Sequence, residues 1–213
     1  MIARQYETHL HFPTFVWKTN VKEELFEKNV TVENLIDECF EIEQTDKGRK
    51  ISNEGENAYQ SSDWYFLAEE NKNLKLHYLM KVVDNVVQSI YRNIWQGNIF
   101  LANSWININR KGAFNSLHHH AGSVLSGCIY LKTPKDCGCL RLEKDFAQKF
   151  IFQGFGSIKE EHSSSLMFSD SIEYTVNEAD LFVFPAHIPH KVKPNSSEEA
   201  RISIAFNYGF PNY

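Results

Sequence analysis

Three consecutive histidines, His118-His119-His120, and a second pair in Phe184-Pro-Ala-His-Ile-Pro-His190 are the residues of this chain best suited to chemistry. On an extended backbone, side chains two apart leave on the same face, so His118 and His120 point together and His119 points away. Imidazole suits iron, zinc, copper or nickel, and two from one strand with a third from a distant segment define three corners of a metal site. In the distal segment Pro185 and Pro189 keep the backbone extended or turned, so His187 and His190 do not share a helical face. His190 stands beside Val192, where a new strand can begin, and is the expected third ligand. His187 is expected to be supporting or structural.

The second candidate group is Arg201-Ile-Ser-Ile-Ala-Phe-Asn207, which alternates polar and apolar residues. Arg201, Ser203, Ala205 and Asn207 fall on one face, and Ile202, Ile204 and Phe206 on the other. A guanidinium and a hydroxyl that face a barrel interior need an anion to satisfy them, and a small dicarboxylate would do so. The remaining motifs read more plainly. Cys137-Gly-Cys139 is too close for a zinc pair and too short for a redox Cys-x-x-Cys, so it is expected to be a turn with buried thiols. Ser123 and Ser126 show no nucleophile elbow. Trp64, Tyr65 and Phe66 are expected in the core or over a pocket.

These groups need elements to hold them. Leu76, Leu79, Met80, Val83, Val86, Val87, Ile90, Tyr91 and Ile94 follow helical spacing, which predicts a helix over Leu74–Trp95 closed by Gly97. A shorter amphipathic helix is predicted from Thr31 to Phe40, and an edge strand over His11–Trp17 that tolerates Pro13 near its start. Gln44 to Ser62 is polar and reads as one long loop. After Gly97 the texture changes to short strands at Phe100–Asn109, Val124–Lys132, Cys139–Leu142, Ser165–Phe168, Leu181–Phe184 and Arg201–Asn207, separated by turn residues. Helices followed by many short strands predict a mostly β (α+β) architecture, a jelly roll packed against one long amphipathic helix.

The bulk numbers agree. The 213 residues suffice for one domain, expected to span 1–213 with a helical part over about 20–96 and a jelly-roll core over about 97–213. Aromatics at 14% favour strands, and a net charge of -5 gives no reason to expect nucleic-acid or membrane-surface binding. No apolar run has the length of a membrane span, and Met1–His11 lacks the apolar stretch of a signal peptide. Four scattered cysteines do not make a disulfide framework, so the cytoplasm is expected. A homodimer is left open.

Three segments together resemble the 2OG-Fe(II) oxygenases: Asn115–Leu131, Leu181–Pro194 and Arg201–Asn207. Phe12–Trp17 resembles the opening of an uncharacterised branch of that family. The resemblance implies a double-stranded β-helix, with Fe(II) and 2-oxoglutarate as cofactors, dioxygen as co-substrate, and a hydroxylated prime substrate that the sequence does not identify. By position, His118, His120 and His190 match the metal ligands, and Arg201 with Ser203 matches the grip on the far carboxylate of 2-oxoglutarate. Tyr130 is expected to reach the same co-substrate. The wider superfamily has His-x-Asp where this chain has His118-x-His120, so the implied site is neutral unless Glu143 or Asp145 supplies a carboxylate. Two other readings remain: a cupin-type three-histidine metalloenzyme that does not use 2-oxoglutarate, and a non-catalytic jelly-roll binding module presenting the loop 44–62.

Overall fold

The computed structural model describes residues 14–27, 29–64, 66–145 and 169–210. Among these, eleven strands and three α-helices follow one another as β1 (Trp17–Asn20), α1 (Lys22–Glu27), α2 (Val32–Thr45), β2 (Asn53–Glu54), β3 (Ala58–Gln60), α3 (Lys75–Ile94), β4 (Phe100–Asn109), β5 (Phe114–His118), β6 (Leu125–Lys132), β7 (Leu140–Glu143), β8 (Ser171–Tyr174), β9 (Asp180–Pro185), β10 (His190–Val192) and β11 (Arg201–Gly209). The strands form two antiparallel sheets, β1-β9-β6-β11-β4-β3 and β2-β5-β10-β7-β8. This is the mostly β jelly roll with flanking helices that the texture of the sequence implies. No helix among the described residues is long and apolar enough to cross a membrane.

Strand parity divides the larger sheet into two chemically different faces. Ile106, Ile108, Ile129, Leu131, Leu181, Val183, Ile202, Ile204 and Phe206 project towards the helices, where they share one core with Leu35 and Cys39 of α2 and Leu76, Leu79, Met80, Val83 and Val87 of α3. The opposite face carries Trp105, Asn107, Asn109, Cys128, Tyr130, Arg201 and Ser203. Register holds these together: Ser203 lies opposite both Asn107 and Tyr130, and Ala205 opposite Trp105 and Cys128. A second apolar cluster, with Phe182, Phe184, Leu140, Leu142 and Val176, closes one side of that interior.

The long helix forms where its stripe predicts, within one residue at each end, although Ile94 is 48% exposed rather than buried. Its N-terminus has no local side-chain cap. The backbone N–H groups of Lys75 and Leu76 instead donate to the Glu38 carboxylate of α2 at 3.0 and 2.7 Å. Glu38 therefore satisfies two orphan donors and docks one helix on the other.

Several boundaries differ from expectation. The second helix starts on the Thr31 cap but runs on to Thr45. The edge strand begins at Trp17, where the sequence reading ends it, because pairing with Asp180–Val183 decides its limits. Residues 11–13, Tyr65 and the expected strand at Ser165–Phe168 lie outside the described residues. The segment 44–62 is not a free loop: Asn53–Glu54 pairs with β5 and Ala58–Gln60 with β4, so it closes the same edge of both sheets. Asp46 organises the bend. Its carboxylate accepts from Gly48 N, Ser62 N, Ser62 Oγ and Trp64 Nε1. Burial opposes its charge, but these donors win and hold its pKa below the ordinary carboxylate value.

Candidate metal centre

The three expected imidazoles converge. His118 ends β5 and His190 begins β10, and the two are direct register partners. Their ring centroids are 4.4 Å apart, with His118–His120 at 5.0 Å and His120–His190 at 5.1 Å. One ligand nitrogen from each lies within 4.8 Å of the others, a group that could hold a metal ion. His119 and His187 are exposed; β5 ends at His118, so His119 and His120 lie just past the strand rather than on it.

Local backbone explains the convergence. The β5–β10 register slips between His118 and Asn115, so two residues, Ser116 and Leu117, face the single Lys191. Such a bulge re-aims side chains, and here it turns both Asn115 and His118 to the interior although they are three apart. His120 is held just past the strand, its N–H donating to Ala186 O at 2.9 Å. That bond joins the His120 turn to the segment leading into His190.

The ring nitrogens are already sorted. His118 Nδ1 is 2.6 Å from Ser116 O and His190 Nδ1 is 2.8 Å from Ile188 O. A carbonyl only accepts, so Nδ1 carries the proton in both rings and Nε2 presents a lone pair. Burial, and then the proximity of His118, push His120 down to about 4; burial and the same neighbour push His190 down to about 3. Burial also lowers His118. All three are neutral at physiological pH, the form that binds metal.

The carboxylate alternative does not join them. Glu143 follows Leu142, the register partner of His190, and so faces the other side of the smaller sheet. There its carboxylate meets Arg141 Nε at 3.1 Å and Lys191 Nζ at 3.0 Å. Among the described residues, the histidines form a metal-capable group without Glu143 or Asp145.

The imidazoles share a cavity with Trp105, Asn107, Asn115, Cys128, Tyr130, Phe184, Ser203 and Ser52. Trp105 packs against His120 at 5.7 Å and Phe184 against His190 at 4.7 Å, which shields the site from water. The free space is only ≈ 40 Å³, so a five-carbon acid enters only if lining side chains move. Two wider clefts, ≈ 520 and ≈ 530 Å³, flank α1 and contain none of these histidines. Donor chemistry, rather than volume, marks the site.

Arg201 lies at the far end. The register from Ser203–Tyr130 to Tyr208–Leu125 puts it at the end of β11 remote from the His120 turn. It is 1% exposed. Nη1 donates to Cys137 O and, at 2.9 Å, to Lys193 O. One arm of the guanidinium is therefore already used, and Nη2 is left buried with no hydrogen-bond partner. The Tyr130 hydroxyl is likewise buried without a partner, and burial raises its pKa well above the ordinary value, so it remains an O–H donor. These orphaned donors have the chemistry of a carboxylate pocket. The Cys137-Gly-Cys139 turn acquires a purpose here. Gly138 has φ +84°, and a Cβ on it would lie 2.9 Å from Arg201 Nη1 and 2.8 Å from Pro194 O.

Sequence reading named the histidines, Arg201, Ser203 and Tyr130, but missed the Asn107, Asn115, Trp105 and Phe184 walls. The alternation along β4 already put Trp105 and Asn107 on one face, and that was the available signal.

Comparison with known proteins follows from this geometry. Residues 103–207 match the model of the family described as "Putative 2OG-Fe(II) oxygenase". No curated protein matches the chain. Among solved structures, a Pseudomonas putida prolyl-4-hydroxylase is similar over 93% of this chain and 94% of its own, with 13% identity and a TM-score of 0.58. A Trichoplax adhaerens prolyl hydroxylase, in complex with a hypoxia inducible factor oxygen degradation domain peptide fragment, is similar over 91% of this chain and 83% of its own, with 15% identity and a TM-score of 0.59. HygX from Streptomyces hygroscopicus, with nickel and 2-oxoglutarate bound, gives 94%, 84%, 10% and 0.58 respectively. At such identities these likenesses establish the fold alone. The family match spans all three histidines, Tyr130, Arg201 and Ser203, and over residues 103–207 this chain matches the 2OG-Fe(II) oxygenase family.

Proposed function

We propose that His118, His120 and His190 hold iron(II), and that Arg201, Ser203 and Tyr130 grip the far carboxylate of 2-oxoglutarate. One observation carries this reading. A neutral three-imidazole cluster shares a cavity with Tyr130 and Ser203, and two residues before Ser203 on β11 stands Arg201, a buried guanidinium with an unpartnered nitrogen. Iron with 2-oxoglutarate and dioxygen supplies the oxidising chemistry, and hydroxylation of an unactivated carbon is the proposed outcome.

The chain's own residues orient and exclude. Ser116 O and Ile188 O fix the tautomers of His118 and His190, so their lone pairs are presented without a proton to displace. Cys137 O and Lys193 O aim Arg201, leaving Nη2 for a carboxylate oxygen. Tyr130, kept protonated by burial, adds a second donor beside it. Trp105 and Phe184 keep water from the imidazoles. The cupin reading accounts for the imidazoles but leaves the Arg201 and Tyr130 donors without a purpose.

The core shared by the helices and the larger sheet supports reading 1–213 as one domain. Four free cysteines fit a reducing compartment such as the cytoplasm. The test is aerobic incubation with iron(II) and 2-oxoglutarate, following succinate. The reading expects metal-dependent succinate from the wild type and none from His190→Ala. Succinate formed equally by both would refute it.

A further inference from the structure

Three asparagines occupy interior positions that a small barrel ordinarily fills with packed side chains. Asn107 and Asn109 sit on β4 and Asn115 on β5, and they are 5%, 1% and 7% exposed. Buried amides destabilise the fold unless their polar atoms find partners, so their hydrogen bonds need a full account. Asn109 Nδ2 donates to Asn115 Oδ1 at 3.0 Å. Asn115 Nδ2 in turn donates to Asn107 Oδ1 at 3.4 Å. The chain of amides is therefore polarised. Its last member has its acceptor engaged by Asn115, and what remains of Asn107 is the NH₂ group.

That NH₂ group is placed where it counts. Asn107 lines the same cavity as the three imidazoles, and Ser203 is its register partner on β11. Ser203 also lies opposite Tyr130, so Asn107, Ser203 and Tyr130 run across three adjacent strands facing one space. At the other end of the amide chain the polarity has a cost, because Asn109 Oδ1 is buried without a partner. Asn109 is anchored all the same: its backbone carbonyl accepts from Asn195 Nδ2 at 2.8 Å.

We propose that Asn107 is a binding residue for 2-oxoglutarate, donating an N–H to an oxygen of the bound diacid, and that Asn115 and Asn109 are positioning residues that set which end of the Asn107 amide faces the cavity. This rests on the site reading given under Proposed function. It adds a donor between the imidazoles and Arg201, and it makes the wall donor-only towards a polyoxygen dianion. It also explains why amides are kept in the interior: an apolar residue at any of the three positions would break the chain of orientation.

The test is calorimetric titration of 2-oxoglutarate into the iron(II)-loaded protein without oxygen, with metal content and melting temperature measured for each variant. Asn107→Ala should bind about tenfold or more weakly, the loss of one hydrogen bond to a charged group. Asn107→Asp should bind more weakly still, because a carboxylate would face the dianion. Asn115→Asp is the most telling. Both of its oxygens accept, so the Asn107 amide should turn to donate to it and show Oδ1 to the cavity. Affinity should then fall although Asn107 is intact, which a merely structural role would not produce. If Asn107→Asp does not fold, Asn107→Ala still tests loss of the donor, and Asn107→Ser, which keeps a shorter donor, should fall between it and wild type. Wild-type affinity in the Asn107 and Asn115 variants, with Arg201→Ala weakened, overturns this inference and leaves the site reading standing. Absence of binding to the wild type overturns both.

Discussion

His118 and His190 each direct Nδ1–H to a backbone carbonyl two residues back, at 2.6 and 2.8 Å, and this repeated device leaves Nε2 as the nitrogen with a lone pair to offer a metal. The device depends on short extended segments, so it is specific to position. Metal content of purified, folded variants should therefore split cleanly. His118→Ala, His120→Ala and His190→Ala should come out empty, while His119→Ala and His187→Ala, whose side chains are exposed, should retain the metal. An empty His187→Ala with a full His190→Ala would reverse the assignment. Arg201 belongs to the same scale. With Nη1 engaged by carbonyls, one charge-assisted contact through Nη2 is at stake, worth roughly 1.5–3 kcal/mol or about 10- to 150-fold in 2-oxoglutarate affinity. Arg201→Lys keeps the charge without the fixed planar geometry and should fall between wild type and Arg201→Ala. At this scale the sequence was informative for Arg201 and Ser203, whose shared face follows from counting along β11, whereas His118 and His120 converge through a bulge and a turn past the end of β5 that counting does not show. It could not show that Nη1 is engaged, since Cys137 and Lys193 reach Arg201 only through tertiary folding.

At the scale of elements, the Cys137-Gly-Cys139 turn is built around Arg201. Gly138→Ala adds a methyl at a positive φ, pressed against Lys193 O and Pro194 O and 2.9 Å from Arg201 Nη1, so it should displace a carbonyl that aims Arg201 and weaken 2-oxoglutarate binding while leaving metal content unchanged. Parallel titrations of metal and 2-oxoglutarate check this, and a loss of metal instead would refute it. Glu38→Ala should destabilise the fold by about 0.5–2 kcal/mol, the range for a lost N-cap, because two N–H groups at the start of α3 lose their acceptor. Chemical denaturation measures it directly. Asp180 ties β1 to β9 through Lys18 at 2.8 Å and Asn20 at 3.0 Å. Although burial opposes its charge, Lys18, Asn20 and Asn177 hold its pKa below the ordinary value. A depressed folded pKa contributes stability that is present above the unfolded value, about 3.9, and lost as pH falls through the folded one. Asp180→Asn should therefore be less stable than wild type at pH 7, with the gap narrowing below about pH 4. The helix stripe of α3 and the alternation of β4 and β11 were legible because each encodes its own periodicity. β2, β3 and β8 were not legible: they are short and defined by their partners, and the bulge before His118 in β5 leaves no local trace.

At the scale of the whole molecule, the larger sheet separates two tasks. Its helix-facing side stabilises the fold, with Ile106, Ile108, Ile129, Ile202 and Ile204 all fully buried, and its interior side holds the polar groups of the site. The order of helices first and strands later made this two-layer arrangement readable, as did the alternation that sorts apolar from polar faces. The narrowness of the interior, ≈ 40 Å³, was not readable, because it follows from how two sheets close on one another. The account as a whole rests on iron and 2-oxoglutarate meeting between the imidazoles and Arg201. The measurement that tests it most directly is titration of 2-oxoglutarate, without oxygen, into the metal-free and iron(II)-loaded protein. The account predicts saturable one-to-one binding that is far tighter with iron present, and weaker by about 10- to 150-fold in Arg201→Ala. No binding to the iron-loaded wild type, or equal affinity with and without iron, would contradict it.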